Sequence, residues 1–396
     1  MAYDNAGNQF DWRGARDAYY RSLTRPTQTE RLNELANTFF ALGHVIHLVE
    51  DLGQPQHIRN DAHITYFPGA PYEDYCHTNY GTAAAVGGLA TAPLPSFTVM
   101  ASPFSGIPDE FAAFWDTGQY TGQTAFAGFA ATPGLAEFSN AYFLTDDTMF
   151  GTVRTVALRR PGTTPLVLRL TEALDNNSTA AKHRFAHPSI RNTNLASFYP
   201  TETRITLQRE GEDETNPLHY VDLVMPGHTT TNLFMINNSG EIGFDATTYE
   251  SYAQALIPQA VAYAAQLMNM FFSPIGLSDP TTGWDATEKK NTVEIRNDSD
   301  RDFADGTWHL FYDDANGNRT EVTDFDTSAY SGLAPGASFT AKWSELLCEG
   351  GWTYTLVFQG KIGNELNAVA GKTFAPAQEV WRGTYYVPSG DPSAST

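Results

Sequence analysis

The sequence predicts an α+β multidomain chain. A mainly α-helical domain spans residues 1–275 and carries a β-rich insertion at about 153–225. A linker at 276–290, a β-sandwich over 291–387 and a disordered tail at 388–396 follow. Three observations lead there. Apolar residues recur at helical spacing over 11–52 and 249–272. After residue 290, short strand-like runs alternate with turn residues at regular intervals. Between those regions, 273–290 is rich in Pro, Gly, Asp and Thr. With 396 residues the chain has ample material for two cores.

The first helix is capped by Asp11 and has an apolar stripe of Trp12, Ala15, Tyr19 and Leu23. Thr27 and Glu30, following Pro26, form the capping box of a second helix. Its periodic residues are Leu32, Leu35, Phe39, Leu42, Val45 and Leu52, and Gly53 and Pro55 stop it. Residues 81–134 read as loops with a short helix at 108–115, their aromatics pinning the loops to the core. A helix is expected over 135–150, with Asp146 and Asp147 towards its end. Strand-like runs over 153–224 make up the insertion. The 249–272 helix is apolar nearly all round, so it should be buried, with a kink at Pro258. In the sandwich, Asn316-Gly317 marks a hairpin; Asp313, Asp314 and Asn316 offer oxygens but lack EF-hand spacing for calcium.

Charge narrows the function. A net charge of −21 argues against stable nucleic-acid binding, because such affinity rests on Lys and Arg neutralising phosphates. No run of eighteen or more apolar residues exists to span a bilayer. The two cysteines, Cys76 and Cys348, lie far apart and support neither a disulfide framework nor a CxxC metal site.

Chemistry concentrates between Thr38 and His77, where His44, His47, His57, His63 and His77 make up five of the chain's ten histidines. His47 and Asp51 are four apart and share a helix face, and the turn at Gly53 and Pro55 returns His57 towards them. Imidazole nitrogen and carboxylate oxygen are the donors that Zn²⁺ takes at about 2.0 to 2.2 Å. A hydrogen-bonded His/Asp pair alone is a common surface feature. The addition of His57, His63 and Glu73 in one segment points instead to metal: His47, Asp51, His57, His63 and Glu73 are the candidate ligands. His44 is read as a surface or supporting residue. His183 and His187 share the four-residue spacing, but Pro188 and a polar context argue against a metal role there.

The run Leu42-Gly43-x-x-x-His47-x-x-x-Asp51-x-x-x-Pro55-x-His57, with Gln54, resembles the second ligand segment of the bacterial zinc-dependent phospholipase C and S1/P1 nuclease superfamily. Tyr72-Glu73 is similar to that family's Tyr-Glu ligand dipeptide. Where the family has a histidine four residues before the Glu, this chain has Gly69, so His63 is the stand-in and His77 the reserve. The resemblance implies a helical fold with up to three zinc ions, of which one or two are expected here. It implies that Asp51 bridges two ions as the catalytic carboxylate. His47 then serves one ion, and His57, Glu73 and His63 another. The family's remaining ligands come from an N-terminal amine, an early His and an upstream Asp and His. No histidine precedes His44, so the resemblance implies a chain truncated at its start, with weak or absent activity.

The expected function is therefore zinc-dependent phosphodiester hydrolysis, of phospholipase C type on phospholipid headgroups, in an extracellular or periplasmic setting. Peripheral membrane contact is compatible with that, and the β domain is expected to bind a carbohydrate or a surface. A single-strand nuclease of P1 type and a non-catalytic, zinc-stabilised binding protein are the alternatives.

Overall fold

The computed structural model describes residues 3–4, 9–59, 71–97, 107–115, 117, 132–142, 156–157, 168–170, 204–208, 221–224, 243–244, 246–277, 283–344 and 353–374. His63, Asp146, Asp147, His183, His187, Cys348 and the 388–396 tail lie outside them. The chain divides into two compact units. The first comprises residues 1–15 and 39–271, the second residues 16–38 and 272–396.

The expected fold class, an α+β chain led by a mainly α-helical domain, is not met: the described part is 42% helical and 27% strand. The long helices fall where the apolar period predicts them, but several intervening helices are single turns. Strands also arise in the stretch taken for a linker, and residues 16–38 belong with the C-terminal sheets.

Helix α1 runs over Trp12–Thr24 and α2 over Gln28–Glu50. Asp11 caps α1 by accepting the Gly14 N–H at 2.7 Å. The capping box of α2 is reciprocal. Thr27 N–H and its hydroxyl donate to Glu30 Oε2 at 3.1 and 2.7 Å, and Glu30 N–H donates to Thr27 Oγ1 at 3.3 Å. The buried stripe of α2 is Arg31, Thr38, Ala41, Leu42, Val45 and Val49, whereas Leu32 and Phe39, expected inside, face water at 58% and 50% exposure. The period is the expected one, but in the first half the inward positions are polar. Arg31 supplies the reason, since its guanidinium donates to the Gly317 carbonyl at 3.0 Å and lies 3.3 Å from Asp313.

Within the first unit, α2 gives way to one 3₁₀ turn at Asp51–Gly53, then α3 at Pro55–Arg59, α4 at Pro71–Tyr80 and α5 at Ala83–Val86. Helices α6 (Asp109–Ala112) and α7 (Leu135–Tyr142) follow. Short strands β1 (Val156–Ala157), β2 (Leu168–Leu170), β3 (Arg204–Gln208), β4 (Val221–Val224) and β5 (Gly243–Phe244) form one sheet in sequence order. Its β2/β3 pair is parallel. Helix α8, Ala246–Phe271, closes the unit with Pro258 inside it and Tyr252, Leu256, Tyr263, Leu267 and Phe271 buried. No helix among the described residues is long and apolar enough to cross a membrane.

The second unit is built on two antiparallel sheets. One has the order β10 (Arg319–Glu321), β9 (Phe303–Asp313), β12 (Thr353–Ile362), β13 (Glu365–Phe374). The other has the order β11 (Ser338–Ser344), β8 (Lys290–Asn297), β6 (Ile275–Leu277), with β7 (Gly283–Asp285) also paired to β8. Strands β6 and β7 thus occupy part of the expected 276–290 linker: their backbone groups complete the free edge of β8. Inward residues of both sheets share one core, with Val293, Ile295, Phe339 and Trp343 meeting Trp308, Leu310, Leu356 and Phe358. On β12, Thr355 and Val357 are buried as well, on the opposite face. The helical residues of this unit cover that face: a Cβ added to Gly371 would meet Leu23 Cδ1 at 2.5 Å, so glycine permits the close approach. The β9/β10 hairpin turns through Gly317 at φ +78°, and Asp314 Oδ1 accepts the Asn316 and Asn318 N–H groups. Asp314 thus serves the turn, while Asp313 pairs with Arg319 and Arg31.

Candidate metal centre

The last turn of α2 brings His47 beside Asp51, the first residue of the 3₁₀ turn; Nε2 and Oδ2 are 3.7 Å apart. Pro55 sits at the first position of α3, where its missing N–H costs nothing, and Gln54 accepts the His57 N–H at 3.1 Å. This reversal carries His57 back over Asp51, with Nδ1 at 3.4 Å from Asp51 Oδ1. From α4, Glu73 reaches the other ring nitrogen, its Oε1 lying 3.3 Å from His57 Nε2. Four of the five expected ligands therefore form one chain, His47, Asp51, His57, Glu73. The fifth, His63, lies outside the described residues.

The order of that chain matters. His57 presents opposite nitrogens to the two carboxylates, so a single cation cannot be held by His57, Asp51 and Glu73 together. Two donors on one ion at about 2.0 to 2.2 Å in tetrahedral geometry lie roughly 3.3 to 3.6 Å apart. The His57/Glu73 and His57/Asp51 pairs have that separation, and the His47/Asp51 pair nearly has it. The donors thus meet only in pairs, and among the described residues no group of three His, Cys, Asp or Glu side chains surrounds a common point. His47 is the most accessible member, its side chain 72% exposed against 28% for Asp51 and 25% for His57. His44 lies apart from the chain: its Nδ1 pairs with the Phe40 carbonyl at 2.8 Å and its ring stacks on Phe10. His77 is exposed on α4.

Behind Glu73 opens a cavity of about 340 Å³ lined from α2, the 3₁₀ turn, α4, α5 and α8. Glu50, whose carboxyl is raised in pKa by burial, stands at its edge with Glu73. Tyr72, Cys76 and Tyr80 line it from one face of α4, at i, i+4 and i+8. Burial pushes the Cys76 thiol up to about 11, partly offset by the hydrogen bond from the Tyr72 hydroxyl. Burial and a 2.7 Å bond to Glu250 push the Tyr80 phenol up to about 12. Glu250 also accepts the Tyr75 hydroxyl at 2.5 Å, and these two bonds hold its carboxyl below the usual range. The sequence reading missed this cavity, although the four-residue spacing of Tyr72, Cys76 and Tyr80 was a visible signal.

No family model matches the chain, and no curated protein matches it. A solved structure, the archaellum periplasmic stator protein FlaG from Sulfolobus acidocaldarius, is similar over 26% of this chain and all of its own, at 11% identity and a TM-score of 0.19. A likeness that slight carries no argument.

Proposed function

We propose that the chain is a zinc-dependent phosphodiester hydrolase, of phospholipase C type in its preference for lipid-like esters. The observation that supports this reading is the alternation His47, Asp51, His57, Glu73, which sets an imidazole beside each carboxylate at ligand spacing. His47 with Asp51 would hold one ion, and His57 with Glu73 a second, each completed by further donors. Bound zinc would supply Lewis acidity towards a phosphoryl oxygen and a lowered pKa for water. The protein's own contribution is positioning. The Pro55 turn fixes His57 between the carboxylates, and Asp51, whose Oδ2 faces His47, orients the ring by its Oδ1 at Nδ1. The acidity of the chain disfavours a polynucleotide substrate and leaves a small or lipid-borne diester.

Zinc titration of the metal-free full chain tests this. Binding should weaken at least tenfold in His57→Ala, and hydrolysis of bis(p-nitrophenyl) phosphate should require added zinc. Equal zinc affinity in wild type and in the His57→Ala/Glu73→Gln double variant would overturn it. Tight zinc binding without diester turnover would favour the non-catalytic, zinc-stabilised reading.

A further inference from the structure

We infer that the cavity behind Glu73 binds one uncharged apolar group, an alkyl chain or an aromatic ring, carried as an ester substituent of the phosphodiester. This rests on the hydrolase reading for the identity of the substrate and on the cavity itself for the binding chemistry. Val86, Leu256, Ile257, Ala260 and Val261 form an aliphatic wall contributed by α5 and α8. Polar lining groups gather on the α2 and α4 side, and two of them, Glu50 and Glu73, are carboxylates. Among the described lining residues none is Lys or Arg and two are carboxylates, so an anionic phosphate is repelled from the interior and an apolar substituent is not.

The size fits such a group. An apolar cavity of about 150 Å³ already takes up benzene, and this one is about 340 Å³, enough for a group roughly twice as large. Its position fits as well. Glu73 borders the cavity and also faces His57 Nε2 at 3.3 Å, so one residue belongs to the metal donors and to the cavity edge. A diester held at the donors therefore has a neighbouring recess for one of its two substituents. Gly53 lets the 3₁₀ turn approach α8 closely at the recess: a Cβ there would stand 3.3 Å from the Ala260 methyl.

Two variants fill the recess from different elements, Ala260→Phe on α8 and Val86→Trp on the accessible α5. The neutral fluorophore N-phenyl-1-naphthylamine reports binding in the metal-free full chain. Saturable one-to-one binding is expected, weakened at least tenfold by either variant and within twofold of wild type in His47→Ala. With zinc, kcat/KM for p-nitrophenyl alkyl phosphates should rise roughly three- to fourfold per methylene from methyl to butyl, and that slope should flatten in both filled variants. Absent probe binding, or binding equal in wild type and both filled variants, overturns the inference. A flat alkyl series with measurable turnover also overturns it while leaving the hydrolase reading in place. If no ester is turned over but the variants still abolish probe binding, the hydrolase reading fails and the apolar site stands.

Discussion

Glu365 provides the sharpest energetic test of how the second unit is held together. Its side chain is 1% exposed and that of Arg16 is 3% exposed. Arg16 donates Nε to Oε1 at 2.6 Å and Nη2 to Oε2 at 2.8 Å, and its Nη1 donates to the Val369 carbonyl at 3.1 Å. Arg301 stands 3.8 Å from the same carboxylate. Removing one partner of a buried pair costs about 3 to 5 kcal/mol, because the other charge stays desolvated. Glu365→Ala strands a fully buried guanidinium and weakens the environment of a second, so the upper part of that range is expected. Arg16→Ala should cost less, since Arg301 still faces the carboxylate. Urea unfolding followed by tryptophan fluorescence reads this, as Trp308 and Trp343 are buried in the core of the same unit. At about 2 to 4 °C per kcal/mol for a unit of this size, the melting temperature should fall by roughly 10 °C or more. An Arg16→Met/Glu365→Leu double variant, which removes both charges, should recover most of the loss. A loss below about 1 kcal/mol in Glu365→Ala, or a double variant no better than the single, would show that the pair does not hold two desolvated charges.

Two further predictions concern the first unit. In a Cys348→Ser background, Cys76 should react with iodoacetamide about a hundredfold more slowly at pH 8 than an ordinary cysteine, because its thiol is pushed from 9.0 to about 11; an ordinary rate would show that the cavity wall does not desolvate it. Glu250 has a folded-state pKa below the ordinary carboxylate value of 4.5, so its stabilising effect is present above that value and is lost as pH falls through the folded pKa. Glu250→Gln should therefore be less stable than wild type at pH 7 with the gap narrowing by pH 3, measured as urea midpoints; a gap equal at both pH values contradicts the assignment.

Much of the candidate site was legible because its information is local. His47 and Asp51 are one helical turn apart, and the Gly53 and Pro55 signals mark where the chain reverses to return His57. The orientation of the His57 ring was not legible. Which nitrogen meets which carboxylate depends on where α4 delivers Glu73, and that helix is positioned by packing against residues far along the chain. The cavity was hidden for the same reason, since its wall is made by α5 and α8, whose side chains are distant in sequence from Glu73.

A similar division runs through the fold. Caps, helix periods and strand alternation depend on neighbours within a few residues, so the Thr27/Glu30 box and the regular succession of strands after residue 290 could be read from residue order alone. The phase of α2 could not, because hydropathy assigns Leu32 and Phe39 to the interior while Arg31 takes the inward place through bonds to Asp313 and Gly317. Nor could the membership of residues 16–38 in the C-terminal unit, which a desolvated ion pair between Arg16 and Glu365 secures. Local backbone chemistry is written in short-range spacing; the pairing of charges across 349 positions exists only once the sheets have formed a surface for it.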